Sequence, residues 1–235
     1  EEESTSEKVV LDSQKSYSNR FHSSGGNAAY SVMANTLRGI YGTDVLIATG
    51  NSFTGNVLKA GYTEKIIEVL KENNVKGTFF ITGHYLNTKS ELVQKMIENG
   101  NTVGNHTVNH KSMPEIDLNK IKEEVMNLHT AVYEKFGYEM KYIRPPKGEC
   151  SERTISYTNS LGYTTVMWSL AYDDWDENKQ GRESYGKEKV LNNLHNGAII
   201  LLHSNSKDNA NILDDIIKKA KEMGYEFKSL DEFER

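Results

Sequence analysis

Five residues of this chain have types and positions that could carry hydrolytic chemistry: His106, His110, Arg144, Asp174 and His203. His106 and His110 stand as H-x-x-x-H in "NTVGNHTVNH". Two imidazoles so spaced on a helix can grip one divalent metal. Here the first ends a strand-like run, so a loop or a first helical turn must bring the pair together; a pair of surface histidines is the plainer alternative. His203 closes the apolar run "AIILLH", where a histidine is either a capping group or a general acid. Asp174, in "YDDW", could cap a loop or hold an imidazole in one tautomer. Arg144 precedes Pro145 and Pro146, which stiffen the loop and fix its direction. It is either one half of a surface ion pair or the group that orients a carboxylate. Trp175 offers a ring as a lid over the core or as a platform for a sugar. His84 is less telling, and His129 and His195 read as structural. Cys150 is the single cysteine, which excludes an internal disulfide and, with no histidine near it in the sequence, reads as structural.

The elements that must position these groups alternate. From about Gly61 the chain runs helix, strand, helix, strand. "YTEKIIEVLKENN" carries Ile66, Ile67, Val69 and Leu70 on one face, and "VKGTFFITG" is an apolar strand. "ELVQKMIENG" is a helix closed by glycine. "IDLNKIKEEVMNLHTAVYEKFG" sets Ile121, Val125, Leu128, Val132 and Phe136 at helical spacing and ends at a glycine. "MKYIRPP", "YTTVMWSLA", "AIILLHS" and "YEFKSL" read as strands. "SERTISYTNSLG", with Ser151 as N-cap, "KEKVLNNLHNG" and "NANILDDIIKKAKEMG" read as helices. Alternation of this kind implies parallel strands with right-handed crossovers, and strands apolar throughout imply a sheet covered on both faces. With "DVLIAT" upstream, the expectation is an α/β fold, a distorted β/α barrel of about seven parallel strands; an open doubly wound sheet is the alternative. Residues 1–60 are expected to be an atypical N-terminal region contributing a helix and a strand, and residues 61–235 the catalytic-type domain. In such folds chemistry gathers at the carboxyl ends of strands. Five consecutive strand ends here deliver His84, His106 with His110, Arg144, Asp173 with Asp174 and Trp175, and His203.

Bulk properties narrow the partners. A net charge of −5 argues against nucleic acid and anionic membranes, both of which need a basic face. No run approaches the ~18 apolar residues of a membrane span. The acidic, polar start "EEESTSEKVV" is not a signal peptide and fits a mature secreted form.

These motifs resemble the polysaccharide deacetylases, carbohydrate esterases of the chitooligosaccharide-deacetylase type. "HTVNH", "RPPKG", "DDW" and "LLH" follow the family's second to fifth motifs in order. "GYTEKIIEVLKENNVKGTFFITGHYL", "TTVMWSLAYDDWD", "GAIILLHSNSKDNA" and "GYEFKSLDEF" are similar to the muramic-acid (δ-lactam) deacetylases of spore-forming bacteria. The resemblance covers about Gly61 to the end. It implies a divalent metal, usually zinc, on His106 and His110, with His203 protonating the leaving sugar nitrogen, Asp174 tuning His203, and Arg144 holding the base carboxylate. It assigns Pro146, Lys147 and Trp175 to the substrate. Lys147 stands where this branch has an arginine thought to meet the muramic lactyl group; lysine keeps the charge and loses the bidentate fork. The implied partner is a peptidoglycan glycan strand met by a monomer outside the cytoplasm.

The first motif departs from the pattern. The family reads T-F-D-D-G and the muramic branch T-F-D-N-G-Y-E-N-G-Y-T, with the first Asp as base and the next residue as third metal ligand. Counting back from "GYT" places these at Gly55 and Asn56; anchoring on "IATGNS" places them at Gly50 and Asn51. Either way glycine replaces the base. Asp44 precedes the strand and is no substitute; Asp173 and Glu149, at neighbouring strand ends, are the candidates to replace it. The stretch from Gly25 to Thr63 is also similar, over about forty residues, to the C-terminal domain of 5′-nucleotidases, whose metal-binding residues lie in a domain absent here. Three readings result: a metal-dependent deacetylase, a non-catalytic relative that binds glycan, and, ranked last, a phosphoesterase.

Overall fold

The computed structural model describes residues 9–10, 44–50 and 57–232. Its strands are β1 (Val9–Val10), β2 (Asp44–Gly50), β3 (Gly77–Ile81), β4 (Thr102–Asn105), β5 (Tyr142–Ile143), β6 (Glu149–Cys150), β7 (Thr164–Thr165), β8 (Leu170–Ala171), β9 (Ala198–His203) and β10 (Glu226–Phe227). The helices are α1 (Val57–Glu72), α2 (Gly83–Thr88), α3 (Ser90–Glu98), α4 (Leu118–Phe136), α5 (Glu152–Ser160), α6 (Glu183–Leu191) and α7 (Lys207–Glu222). The main sheet is parallel throughout, in the order β7-β5-β4-β3-β2-β9-β8, with β10 paired to the start of β2. A separate antiparallel pair joins β1 to β6. "DVLIAT" therefore forms the centre of the sheet, between β3 and β9. The helix expected upstream of it lies outside the described residues.

The run "YTTVMWSLA" is not one strand, as its apolar character predicts, but two short ones. Val166 N–H bonds to the Ile143 carbonyl on one side, and Ser169 N–H bonds to the Ile199 carbonyl on the other. The chain thus steps from the β5 end of the sheet to the β9 end between these residues, which distorts the arrangement there. Sequence periodicity cannot show this, because Val166, Met167 and Trp168 are buried whichever end they pack against.

The strands read as unbroken apolar runs because both faces are covered. On β3, Phe79 and Ile81 pack against the helices with Ile66, Leu70 and Met96, whereas Phe80 points into a second cluster with Val166, Trp168, Ile199 and Leu201. On β9, Ile200 and Leu202 take the helical face and Ile199 and Leu201 the other. The inner face is crowded. Phe80 pairs with Gly104, and a Cβ added there would lie 2.5 Å from the Phe80 ring. Gly104→Ala should therefore destabilise the fold by about 1–3 kcal/mol through overpacking, read as a lower urea midpoint at unchanged slope.

The long helix α4 starts at Asp117, whose side chain accepts from Lys120 N–H at 2.8 Å, and stops at Gly137 with φ 63°. Ile121, Val125, Leu128 and Val132 are buried as their spacing predicts. Ser151 caps α5 in a reciprocal box with Thr154.

Candidate active site at the strand ends

His106 directly follows β4 and is 3% exposed. Its Nδ1 lies 2.7 Å from the Arg144 carbonyl oxygen, an acceptor, so Nδ1 carries the proton and Nε2 keeps its lone pair. That is the orientation a ligating imidazole needs. His110 approaches with ring centroids 4.8 Å apart, edge to face. The pair is brought together by a loop rather than a helical turn: Thr107 has φ 68° and His110 φ 55°. A β-branched residue in that region is strained. Polar anchors hold it there. Thr107 N–H donates to Asn105 Oδ1 at 2.9 Å, His110 N–H donates to Thr107 Oγ1 at 3.1 Å, and Asn109 donates to both oxygens of the buried Glu124 on α4. Burial pushes the His106 imidazole well below its ordinary value, with the Arg144 and His110 charges adding. Burial, then Arg144 and Lys147, brings His110 down to about 4. Both rings are neutral at physiological pH and available to a cation.

At the carboxyl end of β9, separated from β4 in the sheet by β3 and β2, His203 Nδ1 meets Asp174 Oδ1 at 2.8 Å, and Asp174 Oδ2 accepts from the His203 backbone N–H at 2.6 Å. Asn209, in the first turn of α7, donates to Asp174 Oδ2 and to the His203 carbonyl, and accepts from the Tyr172 hydroxyl. Asp174 is thus fixed from three sides and directs its proton-accepting oxygen at His203 Nδ1. Asn209→Ala would leave the buried Tyr172 hydroxyl and an Asp174 oxygen short of a partner. A stability loss of about 1–3 kcal/mol is expected, measurable by chemical denaturation.

Arg144 is 3% exposed, its guanidinium lies 5.0 Å from the Phe80 ring centroid, and Nη2 stands 3.3 Å from His106 Nε2. Burial, partly opposed by the Asp174 charge, lowers it to about 9. Its Nη1 has no hydrogen-bond partner among the described residues. Among the described residues no carboxylate pairs with Arg144, and from Val45 to Thr63 the chain has no acidic residue. Asp173 does not fill the role, since Lys179 and Arg182 hold its two oxygens at 2.7 and 2.8 Å. Burial raises the Asp173 carboxyl, but these partners outweigh burial and leave it below the usual carboxylate range. Glu149 is buried on β6.

Gly50, the last residue of β2, pairs with His203 on one side and Phe80 on the other. Of the two alignments of the first motif, the one anchored on the strand thus places the base position beside His203 and next to the ring beneath Arg144. Asn51, Gly55 and Asn56 lie outside the described residues, and among those described no group of three or more His, Cys, Asp or Glu side chains could hold a metal. His106 and His110 fit a metal as two ligands of a larger set.

The remaining candidates lie around this mouth. Pro145 and Pro146 are buried, and Lys147 is exposed with φ 59°. Trp175 is half exposed beside the buried Asp174. His129 bonds to the Tyr163 hydroxyl and His195 to Ser169, both structural as expected, and Cys150 is buried. Sequence reasoning missed Glu124 and Asn209. Glu124 had a visible signal, an acid on the apolar stripe between Ile121 and Leu128; Asn209 had only its place one turn into the helix after His203.

A parallel β/α fold with paired neutral imidazoles and a carboxylate-held histidine at the carboxyl ends of its strands carries groups suited to metal-assisted hydrolysis of amide or ester bonds. Residues 53–166 match the polysaccharide deacetylase family model. The chain is 40% identical over 178 residues to the peptidoglycan-N-acetylmuramic acid deacetylase PdaA of Bacillus subtilis, covering 75% of this chain and 68% of that one. It is 31% identical over 170 residues to the peptidoglycan-N-acetylglucosamine deacetylase PgdA of Listeria monocytogenes, covering 72% of this chain and 35% of that one. The solved structure of Bacillus subtilis PdaA, a family 4 carbohydrate esterase, superposes with a TM-score of 0.84 at 32% identity over 97% of both chains. The chain belongs to the polysaccharide deacetylase family.

Proposed function

We propose that the chain removes the acetyl group from N-acetyl sugars of peptidoglycan, N-acetylmuramic acid residues first, by hydrolysis of the amide bond outside the cytoplasm. The observation that carries this is the His203–Asp174 pair set beside His106, whose protonated Nδ1 leaves the Nε2 lone pair, now met by the Arg144 guanidinium, to a metal. A divalent metal, zinc in this proposal, held by His106 and His110 would polarise the acetyl carbonyl and acidify a water. The chain's residues do the rest. His203, kept by Asp174 with its proton on Nδ1, offers Nε2 at the mouth; once protonated there it delivers that proton to the departing sugar nitrogen. Lys147 and Trp175, exposed at the rim, offer a cation and a ring to the glycan. The relative's name supports muramic acid as the sugar. No described helix is long and apolar enough to cross a membrane.

Acetate release from cortex-type glycan tests this. Chelation should abolish release, and zinc or cobalt should restore it. Absence of acetate at high enzyme concentration, with glycan still bound, would instead establish the second reading, a glycan-binding member of the family. One observation favours that second reading: Arg144 has no carboxylate partner among the described residues, and the first-motif segment has no acid.

A further inference from the structure

We infer that Glu124, on α4, is a positioning residue for the metal: it clasps the segment between His106 and His110 and sets how tightly that pair takes a divalent cation. The inference rests on the reading of those two histidines as metal ligands. Glu124 is 2% exposed and shares the buried stripe of α4 with Ile121, Val125 and Leu128. A carboxylate there is costly to bury, and a leucine would serve the stripe better. The nearby Lys120 pairs with Glu123 instead. What Glu124 holds is the ligand loop. Its carboxylate accepts from the Asn109 backbone N–H at 2.7 Å and from the Asn109 amide at 2.8 Å, and its backbone carbonyl accepts from Val108 N–H at 3.0 Å.

Val108 and Asn109 lie between the two ligands and are flanked by the left-handed residues Thr107, φ 68°, and His110, φ 55°. Such backbone persists in non-glycine residues only where the surroundings over-determine it. Thr107 is fixed from the sheet: its N–H donates to Asn105 Oδ1, and its carbonyl accepts from Gly83 N–H. The far side of the loop is fixed by α4, through the residue just before His110. The carboxylate of Glu124 therefore governs how firmly the His110 ring is kept edge to face with His106 at 4.8 Å. Asn109 is exposed at the surface. Released from Glu124, it can be solvated, and His110 can relax toward ordinary backbone, which moves its ring relative to His106. The binding-competent loop is then only one of several states, and the apparent metal affinity falls by the fraction that remains competent.

The test is calorimetric titration of zinc into the metal-free chain and its variants, with urea unfolding of the same samples. Glu124→Leu should bind zinc about 10–100-fold more weakly, the usual effect of losing a group that orients a ligand, at an unfolding midpoint no lower than the parent's. A merely structural role would move the midpoint and leave the affinity. Glu124→Gln should keep most of the affinity: its oxygen can take the Asn109 backbone N–H, and its amide can donate to Asn109 Oδ1 once the Asn109 amide turns over. Asn109→Ala, at an exposed position, should weaken zinc by a smaller factor. Parental affinity in a folded Glu124→Leu chain, or a loss in Glu124→Gln as large as in Glu124→Leu, would overturn the proposal. Should Glu124→Leu fail to fold, Asn109→Ala decides, and parental affinity there refutes the clasp. His110→Ala separates the two readings. Zinc affinity that survives this change removes His110 as a ligand, and the metal reading falls with the inference. Affinity lost in His110→Ala but parental in Glu124→Leu removes the positioning role alone.

Discussion

A Gly50→Asp variant is expected to release acetate from glycan about 10²–10⁴ times faster than the parent chain, the usual contribution of a positioned general base. The reason is the register of the central strand. Paired residues of parallel strands share a face, so position 50 faces the same way as Phe80 and His203. Phe80 lies in the inner cluster with its ring beneath Arg144. A carboxylate at position 50 would stand between Arg144, whose Nη1 has no partner among the described residues, and His203, the acid of the proposed reaction. It would also relieve a buried charge, which is costly when unpaired, so the variant should unfold at a higher temperature. Gly55→Asp, the alternative from counting back along the chain, should leave the rate unchanged. A folded Gly50→Asp protein with parental activity would refute the strand-anchored alignment, and a rate gain in Gly55→Asp alone would replace it with the other.

The second large effect concerns Asp174. In the Gly50→Asp background, Asp174→Asn should lower kcat by about 10²–10⁴ while leaving the fold intact, because the two side chains have nearly the same volume. Asp174 Oδ2 faces two donors, the His203 backbone N–H and the Asn209 amide. The asparagine must present its oxygen to them, which turns its NH₂ toward His203 Nδ1. That nitrogen then has to accept, and the ring proton moves to Nε2. The tautomer is reversed with no change of position, and the imidazolium loses its counter-charge. Nitrogen-15 NMR of the His203 ring would show the proton transferred from Nδ1 to Nε2. Retention of both the rate and the Nδ1–H signal would remove Asp174 from its role.

The alternation of strands and helices was legible because each element buries one face and leaves a period behind it. The same logic failed at "YTTVMWSLA", where burial is continuous but the chain changes partner strands midway. Asp173 and Asp174 are neighbours in the sequence, and the structure gives them separate partners: Asp173 is held by Lys179 and Arg182, while Asp174 holds His203. The pairing of His106 with His110 could be read as a metal motif from spacing, but not that Glu124 and Asn105 hold its strained loop, since those partners come from another strand position and from a helix.

By itself the sequence determined the class of fold, the motifs that place this chain among the deacetylases, and the absence of any carboxylate between Asp44 and Glu64. These are properties of pattern and composition, and they survive without coordinates. Only the tertiary structure decided where that absence falls. It required the register of β2 against β3 and β9, set by backbone pairing between segments about 30 and 150 residues apart in the chain. That register brings Gly50, Phe80, Arg144 and His203 to one mouth, where the buried guanidinium has one nitrogen without a partner among the described residues, because hydrogen bonding and packing act between neighbours in space, which a linear pattern does not order.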